Sequence, residues 1–145
     1  MEHMQNEILF TREEIDTRVK ELAVRISNDY AGGELVVIGI LKGAFIFMAD
    51  LIRSMTIPCQ VDFARIASYG ANAMSSGKVV LTKDIEMSIK GRDILIVEDI
   101  VDTGNTLSYF VEWLKERNPR SLRVCAFLDK RARRKVTFEA DYVGF

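Results

Sequence analysis

Three near-continuous apolar runs divide the chain: Leu35–Ile38, Ile94–Val97 and Leu122–Leu128. Uninterrupted runs of this length suit parallel strands buried on both faces, where no polar alternation is needed. Helical periodicity fills the intervals. Thr11-Arg12-Glu13-Glu14 is a capping-box sequence, and Ile15, Val19, Leu22, Ala23 and Ile26 behind it share one helical face. Ala31-Gly32-Gly33 closes that helix. A second helix is expected over Ala44–Met55, with Met48, Leu51, Ile52 and Met55 inward, and a third carries Leu107, Phe110, Val111 and Leu114. Pro58 breaks the chain before a further strand at Val61–Ala67, and Val79–Leu81 adds a short one. The last segment, Val136–Phe145, alternates only loosely. Alternating strands and helices predict a doubly wound α/β fold with a mostly parallel central sheet flanked by helices. At 145 residues this is one domain, spanning 1–145, without repeat or linker.

The chemistry gathers where the apolar runs stop. After Ile94–Val97 come Glu98 and Asp99, expected at the end of that strand. A turn follows, Asp102-Thr103-Gly104-Asn105-Thr106, and runs into the third helix. Ligands of open α/β sheets bind beyond the carboxyl ends of the strands, and the amides of a helix N-terminus suit a phosphate. One loop thus offers carboxylates for hydroxyls, a cation or a proton, and small residues for a phosphate. Gly39-Ile40-Leu41-Lys42-Gly43, read as the turn after the first run, could meet a phosphate or pyrophosphate, although a glycine turn with a solvated lysine is the more common case. Neither G-x-x-x-x-G-K-[ST] nor G-x-G-x-x-G is present. Ser68–Lys78 is small, polar and glycine-containing, a length of loop that often forms a lid, though its composition suits a plain hairpin loop at least as well. Asp102-Thr103-Gly104 matches the triplet of aspartic proteases, but those are all-β; a D-x-D-x-T phosphatase fails because Asp99 and Asp102 are three apart.

Composition narrows the picture further. The formal net charge of −1 gives no global reason to expect a nucleic-acid or anionic-membrane partner. Leu35–Ile52 has the length of a membrane span, but Lys42 and Asp50 interrupt it, so no membrane association and a cytosolic location are expected. Cys59 and Cys125 read as buried thiols of a reducing compartment. The single histidine, His3, makes histidine chemistry an improbable basis for function. Lys130-Arg131-Ala132-Arg133-Arg134-Lys135 is the one strongly charged stretch: a solvated loop, a nucleic-acid patch, or an anion site at a strand's carboxyl end.

The string Val97–Leu107 (V-E-D-I-V-D-T-G-N-T-L) closely resembles the ribose-phosphate-binding motif of phosphoribosyltransferases. Together with Leu41-Lys42-Gly43, Ser68-Tyr69-Gly70 and Lys130 with Arg134, in that order, it resembles the 6-oxopurine branch, the hypoxanthine-guanine phosphoribosyltransferases. The resemblance runs from about residue 8 to Phe145. It implies the type I phosphoribosyltransferase fold and purine salvage: Mg²⁺-dependent transfer of 5-phosphoribosyl from phosphoribosyl pyrophosphate to hypoxanthine or guanine, giving IMP or GMP and pyrophosphate. A non-catalytic or RNA-binding regulator on the same fold is the alternative, against which Asp102 speaks.

The resemblance also implies roles. Glu98 and Asp99 hold the ribose hydroxyls beside a Mg²⁺ that the substrate largely ligates itself. Asp102 faces purine N7 as proton acceptor or hydrogen-bond partner, and Thr103, Gly104, Asn105 and Thr106 wrap the 5′-phosphate. Leu41, Lys42 and Gly43 meet the pyrophosphate through a cis peptide between Leu41 and Lys42, and Arg134 approaches it too. Ser68 and Tyr69 close as a lid, and Lys130 contacts purine O6. Family members form homodimers or homotetramers. They also continue past Val143-Gly144-Phe145 into a segment bearing the aromatic that stacks on the purine and an aspartate near a second Mg²⁺, so the C-terminal part of the fold is expected to be missing.

Overall fold

A computed structural model describes residues 7–68 and 79–145. The elements, in chain order, are α1 (Arg12–Asp29), β1 (Leu35–Leu41), α2 (Phe45–Ser54), β2 (Cys59–Ser68), β3 (Val79–Lys83), β4 (Asp93–Val101), α3 (Asn105–Lys115), β5 (Ser121–Asp129), a 3-10 turn (Arg131–Arg133) and β6 (Tyr142–Val143). The capping box forms as expected: Glu14 N donates to Thr11 Oγ1 at 3.1 Å and Thr11 N to Glu14 Oε1 at 3.2 Å. The six strands make one sheet in the order β3-β2-β1-β4-β5-β6. Every pairing is parallel except β2 with β3, which is antiparallel with a register shift at Arg65/Ile66.

Successive residues of a strand face opposite sides of the sheet, so each apolar run supplies both layers of core. Leu35, Val37, Leu95 and Val97 pack against α1 and α2 through Leu22, Ile26, Phe47, Met48 and Leu51. Val36, Ile38, Ile94 and Ile96 pack on the other face against Leu107, Phe110 and Leu114 of α3, with Ile85 and Ile89. The sheet is doubly wound, as the alternating pattern requires. Asp62 fixes the Ile85–Ile89 segment over this second face: its carboxylate accepts from the amides of Phe63, Glu86 and Met87 at 2.8, 2.8 and 3.0 Å.

Two expectations need correcting. Gly39 lies inside β1, not in a turn after it, because β1 stays paired with β2 through Leu41. A Cβ at Gly39 would collide with Met48 Sδ and press on the Phe63 ring at 3.3 Å, so the glycine serves the seating of α2 on the sheet. Glu98 and Asp99 do not end β4: the strand continues to Val101, with Glu98 opposite Ala126 and Ile100 opposite Leu128 of β5. Residues 136–141 form no regular element, and only Tyr142 and Val143 join the sheet. Leu35–Ile52 is strand, loop and helix, and among the described residues no helix is long and apolar enough to cross a membrane.

β1 and β4 are adjacent, yet the chain leaves them in opposite directions, through α2 to β2 and through α3 to β5. That divergence opens a crevice at the carboxyl ends of the two central strands, the place where open α/β sheets bind ligands.

Candidate functional site at the carboxyl edge of β1 and β4

A cleft of about 290 Å³ occupies this switch point. Leu41 and Gly43 form one wall, Glu98, Asp102, Thr103, Gly104 and Thr106 the other, and Ile40, Ile66, Ile100, Val101 and Leu107 the apolar floor. The expected residues therefore converge on one edge, while the floor residues carry no motif and became visible only through the fold.

The two walls touch. Gly43 lies so close to Asp99 that a Cβ there would sit 3.4 Å from both Cβ and Oδ2 of the aspartate. The Leu41–Lys42 peptide is cis, and the Lys42 side chain is exposed beside it. Glu98 is largely buried, and loss of hydration pushes its pKa up to about 7, against the pull of the Asp99 amide, which donates to Oε1 at 2.8 Å. Burial raises Asp99 as well. Two adjacent acids whose charged forms are poorly solvated make a site short of positive charge or of hydrogen-bond donors.

The next turn is built for an anion. Gly104 caps α3 in the left-handed region, at φ 85° and ψ −6°, a conformation glycine adopts without steric cost. The helix makes its first backbone bond from Ser108 N to Gly104 O, at 2.9 Å. The amides before it have no partner in the helix and point toward its N-terminal end. Thr103 Oγ1 accepts from Asn105 N at 3.3 Å, and Thr106 Oγ1 lies 3.4 Å from Ser68 Oγ. Ser68 thus brings the end of β2 to the same helix terminus; Tyr69, the other expected lid residue, lies outside the described residues.

The basic loop after β5 packs on the Val101–Gly104 segment. Lys130 N donates to Val101 O and Lys135 N to Thr103 O, each at 2.9 Å. Arg134 Nη1 donates to Asp102 O at 3.0 Å, while Nη2 bonds Asp129. Arg134 is therefore engaged within the protein, with its side chain only 14% exposed. It reaches the site by fixing the Asp102–Gly104 turn, not as an open guanidinium facing a ligand. Arg131 pairs with Asp129 and Glu139, and Arg133 Nε stands 2.5 Å from Asp102 Oδ1. Three of the five cations thus meet carboxylates, which dismantles the open basic patch suggested by the sequence; the Lys130 side chain stays exposed. The structural parts of Asp129 and Arg133 carried no signal beyond membership of this loop.

Among the described residues no three His, Cys, Asp or Glu side chains converge as a metal cage. Glu98 lines the space open to a ligand, and Asp99, its neighbour in β4, stands beside Gly43. This fits Mg²⁺, which usually takes one or two protein carboxylates and completes its shell with substrate oxygens and water.

Known proteins share this sequence and architecture. Residues 5–145 match the model of the phosphoribosyl transferase domain. The hypoxanthine-guanine phosphoribosyltransferase of Aquifex aeolicus is 47% identical over 139 residues, covering 95% of this chain and 78% of the relative. The crystal structure of a hypoxanthine-guanine phosphoribosyltransferase from Bacillus anthracis, with a HEPES molecule in its active site, superimposes with a TM-score of 0.93 at 44% identity, covering 97% of this chain and 82% of that one. A hypoxanthine phosphoribosyl transferase of Trypanosoma cruzi, studied for the role of its C-terminal region in oligomeric state and enzymatic activity, gives 0.89 at 46% identity, with 95% and 76% covered. With its doubly wound sheet and with these relatives, the chain belongs to the phosphoribosyltransferase family, in its hypoxanthine-guanine branch.

Proposed function

We propose that the chain catalyses transfer of 5-phosphoribosyl from phosphoribosyl pyrophosphate to N9 of hypoxanthine or guanine, forming IMP or GMP and releasing pyrophosphate. One observation carries the reading: a single cleft joins the largely desolvated Glu98, a helix N-terminus and a second carboxylate, Asp102, in an order that matches sugar, phosphate and base. Breaking the C1′–O bond builds positive charge on the ribose and negative charge on the leaving pyrophosphate. Glu98 and Asp99 accept hydrogen bonds from the ribose hydroxyls and bring negative charge to the sugar side. The α3 terminus, with Thr103 and Thr106, receives the 5′-phosphate and fixes the sugar against them. Asp102 takes the proton of purine N7 as N9 attacks C1′, so that the base does not become cationic. Lys42 meets the leaving group, and Lys130 marks the 6-oxo group of the purine.

Glu98 and Asp99 would hold a Mg²⁺, which when bound would supply charge neutralisation at the pyrophosphate. Ser68, at the end of β2 beside Thr106, helps keep water from the reactive sugar. We further take the protein to be cytosolic, which its two unpaired cysteines suit, and a homodimer or homotetramer. Phe45 and Ile46, 54% and 62% exposed at the start of α2, support an apolar contact between copies. The reaction is tested by pyrophosphate release from phosphoribosyl pyrophosphate with Mg²⁺. Release with hypoxanthine or guanine, and none with uracil or orotate, is expected; release with the pyrimidines alone would refute the assignment.

A further inference from the structure

The 3-10 turn after β5 sets one guanidinium on the carboxylate that the proposed reaction uses as base. Arg133 Nε stands 2.5 Å from Asp102 Oδ1, and that oxygen is shut off from solvent without receiving a hydrogen bond. The contact is an ion pair at an oxygen that solvent does not reach. The Asp102 side chain as a whole is nevertheless 45% exposed and lines the cleft. Its accessible surface therefore belongs to the rest of the side chain, where Oδ2 is the one oxygen left to face a ligand. Below the side chain the backbone is held separately, by Arg134 on Asp102 O and by Lys135 N on Thr103 O. The terminal torsion of an aspartate is soft and roughly two-fold, so a fixed backbone does not choose which oxygen faces the base. Among the described residues, Arg133 is the only cation paired with this carboxylate.

We infer that Arg133 is a positioning residue for proton transfer from the purine: by pinning Oδ1 it presents Oδ2 to N7. The inference rests on the reading of Asp102 as the acceptor. It assigns one cation of the basic loop to the chemical step, while Lys130 and Arg134 keep their separate tasks. The plain alternative is an exposed surface pair of negligible weight, since Arg133 itself is 62% exposed. That same exposure means that truncating Arg133 opens no core, so the variants will fold.

The test compares single-turnover rates, with hypoxanthine and Mg²⁺, for the wild-type protein, Arg133→Ala, Arg133→Lys, Asp102→Asn and the Arg133→Ala/Asp102→Asn double variant. Arg133→Ala should slow turnover by between about fivefold, the worth of an exposed pair, and about a hundredfold, the cost of a misplaced reacting group. The KM for phosphoribosyl pyrophosphate should stay within about twofold, and Arg133→Lys should recover part of the rate. In the Asp102→Asn background the loss of Arg133 should add nothing, because the charge it pins has gone. An equal loss in both backgrounds, or a KM for phosphoribosyl pyrophosphate that rises in step with the rate loss, would overturn the inference while leaving the proposed reaction standing. Wild-type turnover in Asp102→Asn would overturn both the inference and the reading of Asp102 as the proton acceptor.

Discussion

Replacing Glu98 by Gln asks whether the sugar-facing carboxylate is held ionised at the expense of the fold. Burial moves the Glu98 pKa from 4.5 to about 7, so near neutrality the folded protein binds a proton that the unfolded chain gives up. A carboxyl group raised in this way lowers stability as pH climbs from about 4.5 to 7, and the whole loss persists above that range. At 1.36 kcal/mol per pH unit, the interval corresponds to about 3 kcal/mol. Gln is nearly isosteric and its amide oxygen can still accept from the Asp99 amide, now at 2.8 Å from Oε1, but it never carries the charge. Without Mg²⁺ or substrate, in the presence of a chelator, Glu98→Gln should therefore exceed the wild-type protein in stability by up to about 3 kcal/mol at pH 8, a rise of roughly 10 °C in Tm. The difference should vanish toward pH 4. Urea melts across pH 4–8 read both numbers. A variant no more stable than wild type at pH 8, or one with the same gain at every pH, would refute the claim that Glu98 is desolvated in the free protein. Added phosphoribosyl pyrophosphate with Mg²⁺ should reverse the order, since only the wild-type protein supplies the full carboxylate pair.

Two further substitutions separate binding from architecture. Phosphoribosyl pyrophosphate and Mg²⁺ together should raise Tm more than either alone; Lys42→Ala should shrink that shift, measured by differential scanning fluorimetry, and an unchanged shift would return Lys42 to the class of solvated lysines. Asp62→Ala removes the acceptor for the Glu86 and Met87 amides from a residue only 6% exposed, so it should cost about 2–4 kcal/mol in urea melts, and a loss below 1 kcal/mol would show that water replaces the carboxylate.

How much of this was legible in the chain depended on whether a residue's task was local. Leu35–Ile38, Ile94–Val97 and Leu122–Leu128 announced their strands because a sheet covered on both faces needs apolar side chains at every position. Thr11 with Glu14, and the approach of Glu98, Asp99 and Asp102 to a helix start, were equally plain, since capping and strand-to-helix turns are written in neighbouring residues. The continuation of β4 through Glu98–Val101 was hidden, because two acids inside a strand contradict the usual pattern and are accommodated only where the strand emerges beyond its covering helices. Gly39 looked like turn punctuation, whereas its cause is tertiary, the Met48 and Phe63 side chains that press on it. In the basic loop the sequence displays five equivalent cations. Which of them meets Asp102 and which meets Asp129 is decided by the 3-10 turn Arg131–Arg133 and by the packing of Arg134 Cδ and Val136 against Gly104.

The central claim divides the cleft into a sugar-and-phosphate half built on Glu98, Asp99 and α3, and a base half built on Asp102. The most direct test is the rate of IMP formation in Asp102→Asn, with the binding of phosphoribosyl pyrophosphate measured on the same protein by calorimetry. Asparagine keeps the shape of the side chain but cannot take the N7 proton. Turnover should fall by about 10²–10⁴-fold, the usual worth of a positioned acid–base group, while the affinity for phosphoribosyl pyrophosphate with Mg²⁺ stays at its wild-type value. Unimpaired turnover, or a loss explained entirely by weakened phosphoribosyl pyrophosphate binding, would contradict that division of the site.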